Sequence, residues 1–290
     1  MLIETRIRWL FTPRSKVIVD HGTASANKTI FTFIPSFITK IQHNCRTTRR
    51  KNATVTGAAG GIGLETTVLM LREGASVLMT DMSTTGLTAA LQKVNIAIPP
   101  SLRAGKVETK TVDVSDESQF EAAVSHLDFW DGIDGLWFGS KHSVLGFRRH
   151  GKKVSSVINT AIVVGLVGAA TAQLAYTASK GAVLAMTREL GIVHAREGFR
   201  YNSLCPALLN TPLLQGWFGD DKAKRSRREV HFPSGRFGEA IEQAHAVIFL
   251  ASDESSFVNA TDFVADGGMT KAHVTPEGPA TEAPKNLAGP

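Results

Sequence analysis

Thr54-Val-Thr-Gly-Ala-Ala-Gly-Gly-Ile-Gly-Leu-Glu65 begins as a short apolar run, breaks into glycines and continues in a helical pattern. Gly57, Gly61 and Gly63 have the spacing of a tight strand-to-helix turn, where residues without Cβ permit unusual backbone angles and let a bound pyrophosphate approach the main chain. The helix that starts there offers unpaired N–H groups and the positive end of its dipole, and both favour a phosphate. The flanks agree with this reading. Ala53-Thr-Val-Thr56 reads as a strand, Leu64, Val68, Leu69 and Leu71 form a helix face as far as Gly74, and Ala75-Ser-Val-Leu-Met-Thr80 reads as a second buried strand. The stretch predicts one βαβ unit.

Asp81 ends the second strand, 24 residues after Gly57, close to the roughly 20 expected of an acid that binds an adenosine ribose. A carboxylate there accepts bonds from both ribose hydroxyls and repels a 2′-phosphate, which favours NAD over NADP. The competing reading is a turn or helix-cap aspartate. No Gly-Lys-Ser/Thr follows the glycines, so a Walker-type ATP site has no support.

At 290 residues, 43% hydrophobic and 20% charged, the chain can bury a substantial core. Its two cysteines, Cys45 and Cys205, give neither a disulfide framework nor a metal-ligand spacing, and the nine histidines form no zinc motif. No metal is expected, and a reducing compartment is. The basic charge is uneven. Residues 1–51 hold ten Lys/Arg against Glu4 and Asp20, whereas the remainder carries 22 Lys/Arg against 24 Asp/Glu. The high pI therefore belongs to an N-terminal extension that reads either as disordered or as a mitochondrial targeting segment. Its apolar run from Thr29 to Ile41 is too short, and too broken by Pro35, to span a bilayer. The body, residues 52–272, is expected in the cytoplasm, or in mitochondria if the extension is a targeting signal. Residues 273–290 read as a disordered tail.

After Asp81, Leu87 to Val94 suggests a helix and Lys106 to Asp113 a third strand. Asp113-Val114 follows, where the acid either bonds an adenine amino group or caps the next helix. Ser115 is expected at that helix's N-cap, with Phe120, Ala123, Val124 and Leu127 facing inward. Ile133 to Phe138 reads as a fourth strand, Gly139 to His150 as a helix, and the β-branched run Val154 to Val164 as a central fifth strand. Strands alternating with helices at this pitch imply a doubly wound, mostly parallel α/β sheet that binds ligands at the carboxyl ends of its strands. Tyr176-Thr-Ala-Ser-Lys180 then sets a phenol and an ammonium four residues apart, on one face of a helix that runs to about His194. A free tyrosine has a pKa near ~10, and a neighbouring Lys⁺ lowers it, making Tyr176 a usable acid/base.

Over residues 52–272 the chain resembles the short-chain dehydrogenase/reductase family, on Thr56-Gly57 to Gly61-Ile62-Gly63, Asp81, Asp113-Val114, Tyr176 with Lys180, Pro206 with Thr211, and Asp266-Gly-Gly268. The resemblance implies a single Rossmann domain that moves hydride between nicotinamide and an alcohol or ketone, assembled as a homodimer or homotetramer. It implies that Tyr176 exchanges a proton with the substrate oxygen and that Lys180 binds the nicotinamide ribose. Thr56, Gly57, Gly61, Ile62, Gly63, Asp81, Asp113, Val114, Pro206 and Thr211 would complete the NAD site. An alicyclic, terpenoid or polyketide-type metabolite of secondary metabolism is the expected substrate, with Gly216, Trp217 and Phe218 lining its pocket. The basic run Lys222 to Arg228 is expected to be the solvated face of a lid helix. Glu239 to Leu250 reads as a helix and Phe257 to Val264 as the last strand.

Three departures stand out. Ala207 occupies a position where glycine is usual. The serine that ends the family's fifth strand is unmatched: Asn159-Thr-Ala-Ile-Val-Val164 has no hydroxyl after Thr160, leaving Thr160 or Thr171 to substitute. The loss of such a donor typically costs about 10² to 10³ in rate. Finally, Asp134-Gly-Leu136 runs directly into Trp137-Phe138, so that a segment of a few tens of residues, with the family's catalytic asparagine, is missing. Trp137-Phe138 is expected to complete the fourth strand. A catalytically impaired protein that binds a nucleotide or a partner, or the product of a defective gene, is the alternative function.

Overall fold

β1 (Asn52–Val55) and β2 (Ser76–Asp81) pair in parallel, with α1 (Gly61–Arg72) crossing between them. Residues 51–119, 133–169 and 173–273 of this computed structural model are described, all within the unit Cys45–Pro290. Val77, Leu78, Met79 and Thr80 of β2 are all buried, as expected of a strand covered on both faces. The cap of α2 (Thr84–Ala97) is Ser83, whose Oγ accepts from the Gly86 N–H at 3.0 Å, and the helix buries Leu87, Ala90 and Val94 on one stripe. β3 (Val107–Thr111) pairs in parallel with β2 and completes a three-stranded sheet in the order β1-β2-β3.

A second three-stranded parallel sheet has the order β4-β5-β6, from β4 (Ser155–Thr160), β5 (Phe199–Pro206) and β6 (Asp262–Ala265). Every residue of β5 is buried, which makes it the centre of this half, with β4 at the edge. The run read as a long central strand is therefore shorter, and it leaves the sheet after Thr160 in a short 3-10 turn (Val163–Gly165). The last strand likewise begins late. Phe257 is fully exposed, and pairing starts at Asp262.

The fourth strand is not formed. Ile133–Arg149 is one continuous helix, α3, which takes in the whole stretch expected to be extended. The reason lies in the helical stripe. Leu136, Ser140, Ser143 and Val144 are all buried, at the three- and four-residue spacing that continues the helix backwards over Trp137 and Phe138. Six residues with apolar side chains at Ile133, Leu136, Trp137 and Phe138 satisfy either period, and the adjoining helix decided it. Among the described residues β1 pairs only with β2 and β4 only with β5, so helices rather than a strand join the halves. α1 packs on α7 (Ala240–Ala251), and one core contains Val55, Met70, Leu71 and Met79 from the first half with Ile158, Leu204, Val247 and Leu250 from the second. On the other side, α3 and α4 (Leu174–Val193) cover β4 and β5 through Val144, Val157, Phe199, Leu184 and Ala161.

The cap after β3 also differs from expectation. Asp116, not Ser115, accepts from the N–H groups of Ser118 (2.9 Å) and Gln119 (3.2 Å) at the helical turn 117–119. The inward face proposed for Phe120 to Leu127 lies outside the described residues, as do Thr171, residues 1–50 and the tail from 274. No described helix is long and apolar enough to cross a membrane.

Candidate active site

A cleft of about 2150 Å³ opens at the carboxyl ends of β1 and β4, reaching Val55 and Thr56 on one side and Ile158 and Thr160 on the other. The place is the one at which a doubly wound sheet binds ligands, where connections leave in opposite directions. Thr56, Gly57, Gly61, Ile62, Gly63, Tyr176, Lys180, Pro206 and Thr211 all line it. Asp81, Asp113 and Val114 do not.

The glycine turn is built for close approach. Gly57 and Gly61 have φ of +61° and +52°, and a Cβ on Gly63 would lie 2.4 Å from the Gly57 carbonyl oxygen. The N-cap of α1 is Gly60, with no side chain bonding the helix's first N–H groups, so the turn can take a pyrophosphate. Asp81 supports this turn from outside the cleft. Its Oδ2 accepts from the N–H of Ala59, itself a cleft residue, at 3.1 Å, and its Oδ1 from that of Ser83 at 2.9 Å. Asp113 accepts from both the N–H and the hydroxyl of Ser115, at 2.9 and 2.6 Å. Those bonds, the hydroxyl's first, hold its carboxyl below the usual range, and its observed partners are those of a turn.

The second wall is α4. Asn159, buried in β4, donates to Thr187 Oγ1 at 2.9 Å and fixes the helix against the strand. Tyr176, 45% exposed, faces the cleft, and Lys180 Nζ stands 5.9 Å from its ring centroid. Lys180 Nζ also donates to the Thr160 carbonyl at 3.0 Å, which ties the ammonium to the end of β4. Gly165 makes this possible, and sequence reasoning missed it. A Cβ there would come within 3.1 Å of both the Lys180 carbonyl oxygen and Leu184, so a side chain would push the turn after β4 a few tenths of an ångström off the helix. Ile162 lines the cleft at the cap of that turn, as do Thr160 and Ala161.

Thr211 caps α5 (Pro212–Phe218) through Oγ1 to the Leu214 N–H and also lines the cleft, with its methyl 3.9 Å from where a Gly61 Cβ would be. Ala207 is accommodated without a positive φ. Behind them, burial pushes the Cys205 thiol up to about 12, so it is no nucleophile here. Beyond β6, burial works against the Asp266 charge, but the N–H groups of Thr270 and Gly268 outweigh it and keep the carboxyl ionised below its usual range. That turn presents Met269 and Thr270 to the cleft.

The substrate end differs in part from expectation. Trp217 lines the cleft, but Gly216 and Phe218 do not. Phe218 turns into an aromatic core, stacked on Phe237 at 5.6 Å. The basic helix α6 (Lys222–Glu229) is not wholly a solvated face, because Arg227 and Arg228 line the cleft together with His231. Among the described residues no group of His, Cys, Asp or Glu could hold a metal ion.

Comparison with known proteins agrees with this geometry. Residues 51–140 match the family described as short chain dehydrogenase, and residues 139–270 the one described as enoyl-(acyl carrier protein) reductase. The chain is 32% identical to 2-(S)-hydroxypropyl-CoM dehydrogenase 3 of Xanthobacter autotrophicus, over 74% of this chain and 95% of that one. It is 31% identical to 2,5-dichloro-2,5-cyclohexadiene-1,4-diol dehydrogenase of Sphingobium indicum, over 76% and 97%. The crystal structure of levodione reductase superposes with a TM-score of 0.69 at 30% identity, covering 78% of this chain and 99% of that one. The first alignment spans 248 positions, whereas 74% of 290 residues is about 215, so about 33 positions find no counterpart here. The two matched families meet at residues 139–140, inside α3 and three residues past the Leu136–Trp137 junction where the missing segment was expected. With a glycine turn, a Tyr/Lys pair and one cleft between two parallel half-sheets, the chain belongs to the short-chain dehydrogenase/reductase family of oxidoreductases, which act on alcohols and ketones with NAD(P).

Proposed function

We propose that this protein moves hydride between NAD(H) and a secondary alcohol or ketone of alicyclic, terpenoid or polyketide type. The observation that carries the proposal is the presence of Tyr176, Lys180 and the Gly57–Gly63 turn on one cleft. The nicotinamide supplies or accepts the hydride. The chain's part is to hold it and to manage the proton. Thr56, Gly57, Gly61, Ile62 and Gly63 cradle the phosphates, and Pro206 and Thr211 close over the other end. Tyr176 gives its proton to the carbonyl oxygen in reduction and recovers it in oxidation, while the Lys180 charge favours the phenolate. Tied to the Thr160 carbonyl, Lys180 keeps its ammonium in the cleft, where it would hold the hydroxyls of a nicotinamide ribose.

NAD rather than NADP is supported by Asp81, whose carboxylate is fixed beside the glycine turn where a 2′-phosphate would meet it. Asp113 and Val114 follow β3, outside the cleft, and the family resemblance alone assigns them to the adenine. A ring substrate is supported by the name of the Sphingobium relative, a dehydrogenase of a cyclohexadienediol. Trp217 offers the apolar wall. We place the protein in the cytoplasm, where a free thiol such as Cys205 is stable, and expect a homodimer or homotetramer.

Ile162 favours a second reading. It or Ala161, both in the cleft, takes the place of the family's serine, and with the asparagine segment also missing the protein is then a nucleotide binder without turnover. Fluorescence titration with NADH, followed by turnover of cyclohexanone-type ketones, separates the two. Binding with turnover abolished by Tyr176→Phe supports the first. Binding without turnover supports the second, and no binding overturns both.

A further inference from the structure

We propose that the substrate carries an anionic oxygen group, a carboxylate or an oxyanion of similar geometry, and that Arg227 and Arg228 of the lid helix receive it. The proposal rests on the alcohol/ketone reading above and names the substrate class within it.

The five cations of α6 are not equivalent. Arg225 is engaged: Nε donates to Glu229 at 2.7 Å, Nη2 to Asn210 at 3.1 Å and Nη1 to Gln215 at 3.2 Å. Lys224 donates to the Trp217 carbonyl at 2.7 Å and lies 3.7 Å over the indole. Arg228 stacks 4.6 Å over the same indole and spends Nη1 on the Lys224 carbonyl at 2.8 Å. Aromatic face and carbonyl together fix the plane of this guanidinium before any ligand arrives, so little rotamer freedom is lost on binding. Among the described residues no carboxylate pairs with Arg227 or Arg228. The nearest acids in sequence are committed, Glu229 to Arg225 and Asp221 to the Lys224 N–H as the helix cap. Both arginines nevertheless line the cleft that holds Tyr176.

An unpaired, pre-oriented guanidinium in a cleft is matched by a planar two-oxygen anion, through two parallel N–H···O bonds. The surrounding charge agrees. The cleft also receives Lys93, Lys180 and His231, against two carboxylates, Glu239, which Asn210 takes, and Glu65, which stands on α1 at the glycine-turn end. An anion placed at one end of the substrate would leave its carbonyl free to reach Tyr176.

The test compares 3-oxo- and 4-oxocyclohexanecarboxylate with their methyl esters, which keep the ketone and remove the charge. Charge-assisted bonds of this kind predict kcat/KM for the better acid about tenfold to a hundredfold above its ester. That ratio should fall with added salt and collapse towards one in Arg228→Gln and Arg227→Gln, while the NADH Kd, measured by fluorescence, stays the same. In cofactor-free protein the same acids should quench Trp217, a signal absent in Trp217→Phe and weakened in Arg228→Gln. Equal kcat/KM for acid and ester, or quenching indifferent to both arginine variants, overturns the proposal. A weakened NADH Kd in the variants also overturns it, by assigning the arginines to the coenzyme. If no ketone turns over, the oxidoreductase reading fails, and the Trp217 titration alone decides the anion site.

Discussion

The two half-sheets divide the chemistry unequally. The first, β1 to β3, carries the glycine turn and Asp81, and its features are local: a strand, a turn and a helix that neighbouring residues specify. The second, β4 to β6, carries Tyr176 and Lys180, and its geometry is assembled from afar. Asn159 finds Thr187, Gly165 lies under Lys180, and Arg200 donates to the carbonyls of Leu250, Ser252 and Val258. The lesson is that most of these bonds stay within one half, and that, among the described residues, the packing of α1 on α7, a shared core and the Lys51–Asp253 ion pair join the halves where no strand lies between them.

The sharpest way to separate the halves is Tyr176→Phe. Turnover is expected to fall by about 10² to 10⁴, measured as steady-state NADH oxidation, while the NADH Kd stays within experimental error, because the glycine turn of the first half and Lys180 of the second are left in place. A changed Kd would join what the comparison divides. Ile162→Ser acts in the opposite direction. If the missing hydroxyl limits the rate, restoring a donor at the cap of the turn after β4 raises kcat by up to about 10² to 10³. No gain would show that the lost asparagine segment, not the serine, sets the rate.

Leu250→Ala tests the joint itself. Its side chain is fully buried in the core shared by both halves, and its loss is expected to cost about 2–5 kcal/mol in denaturant titration. If the halves fold as one unit, amide exchange in β2 and β5 rises together. Exchange that rises in β5 alone would make them separate folding units. Asp81→Ser belongs to the first half alone and should move coenzyme preference towards NADPH by roughly tenfold, about one charge contact, with ketone KM unchanged.

The smallest effect lies in acid. Glu197 is lowered to about 2 by its bond from Arg148 and then from His194, and Glu242 to about 2 by Arg236 and then the Glu239 N–H. A carboxyl with a depressed native pKa stabilises the fold fully above its usual value of 4.5, and that contribution drains away as pH falls from there towards 2. Solvent reaches both pairs, so Glu197→Gln should lower Tm slightly at pH 7, where the contribution is complete, and leave it unchanged near pH 2, which flattens the slope of Tm against pH below 4.5.

The cofactor turn and the Tyr/Lys pair were legible because each is a short spacing whose chemistry is intrinsic. Ile133 to Phe138 was not, because a strand is specified by the neighbour it pairs with and a helix by its own period. With the following segment gone, the period of α3 prevailed. Arg227 and Arg228 were equally hidden. A run of cations reads as a solvated face until the fold sets an indole beside it and turns two of the five towards a cleft. Gly165 looked like any loop glycine, and only the approach of Lys180 gives it a role.

The buried thiol of Cys205 has a practical corollary. Held protonated at any pH the cell reaches, it offers no thiolate beneath the site to alkylating reagents or peroxide. Iodoacetamide and mild oxidants should therefore leave Cys205 unmodified in the folded protein and label it only after unfolding, as mass spectrometry of the peptide that contains it would show.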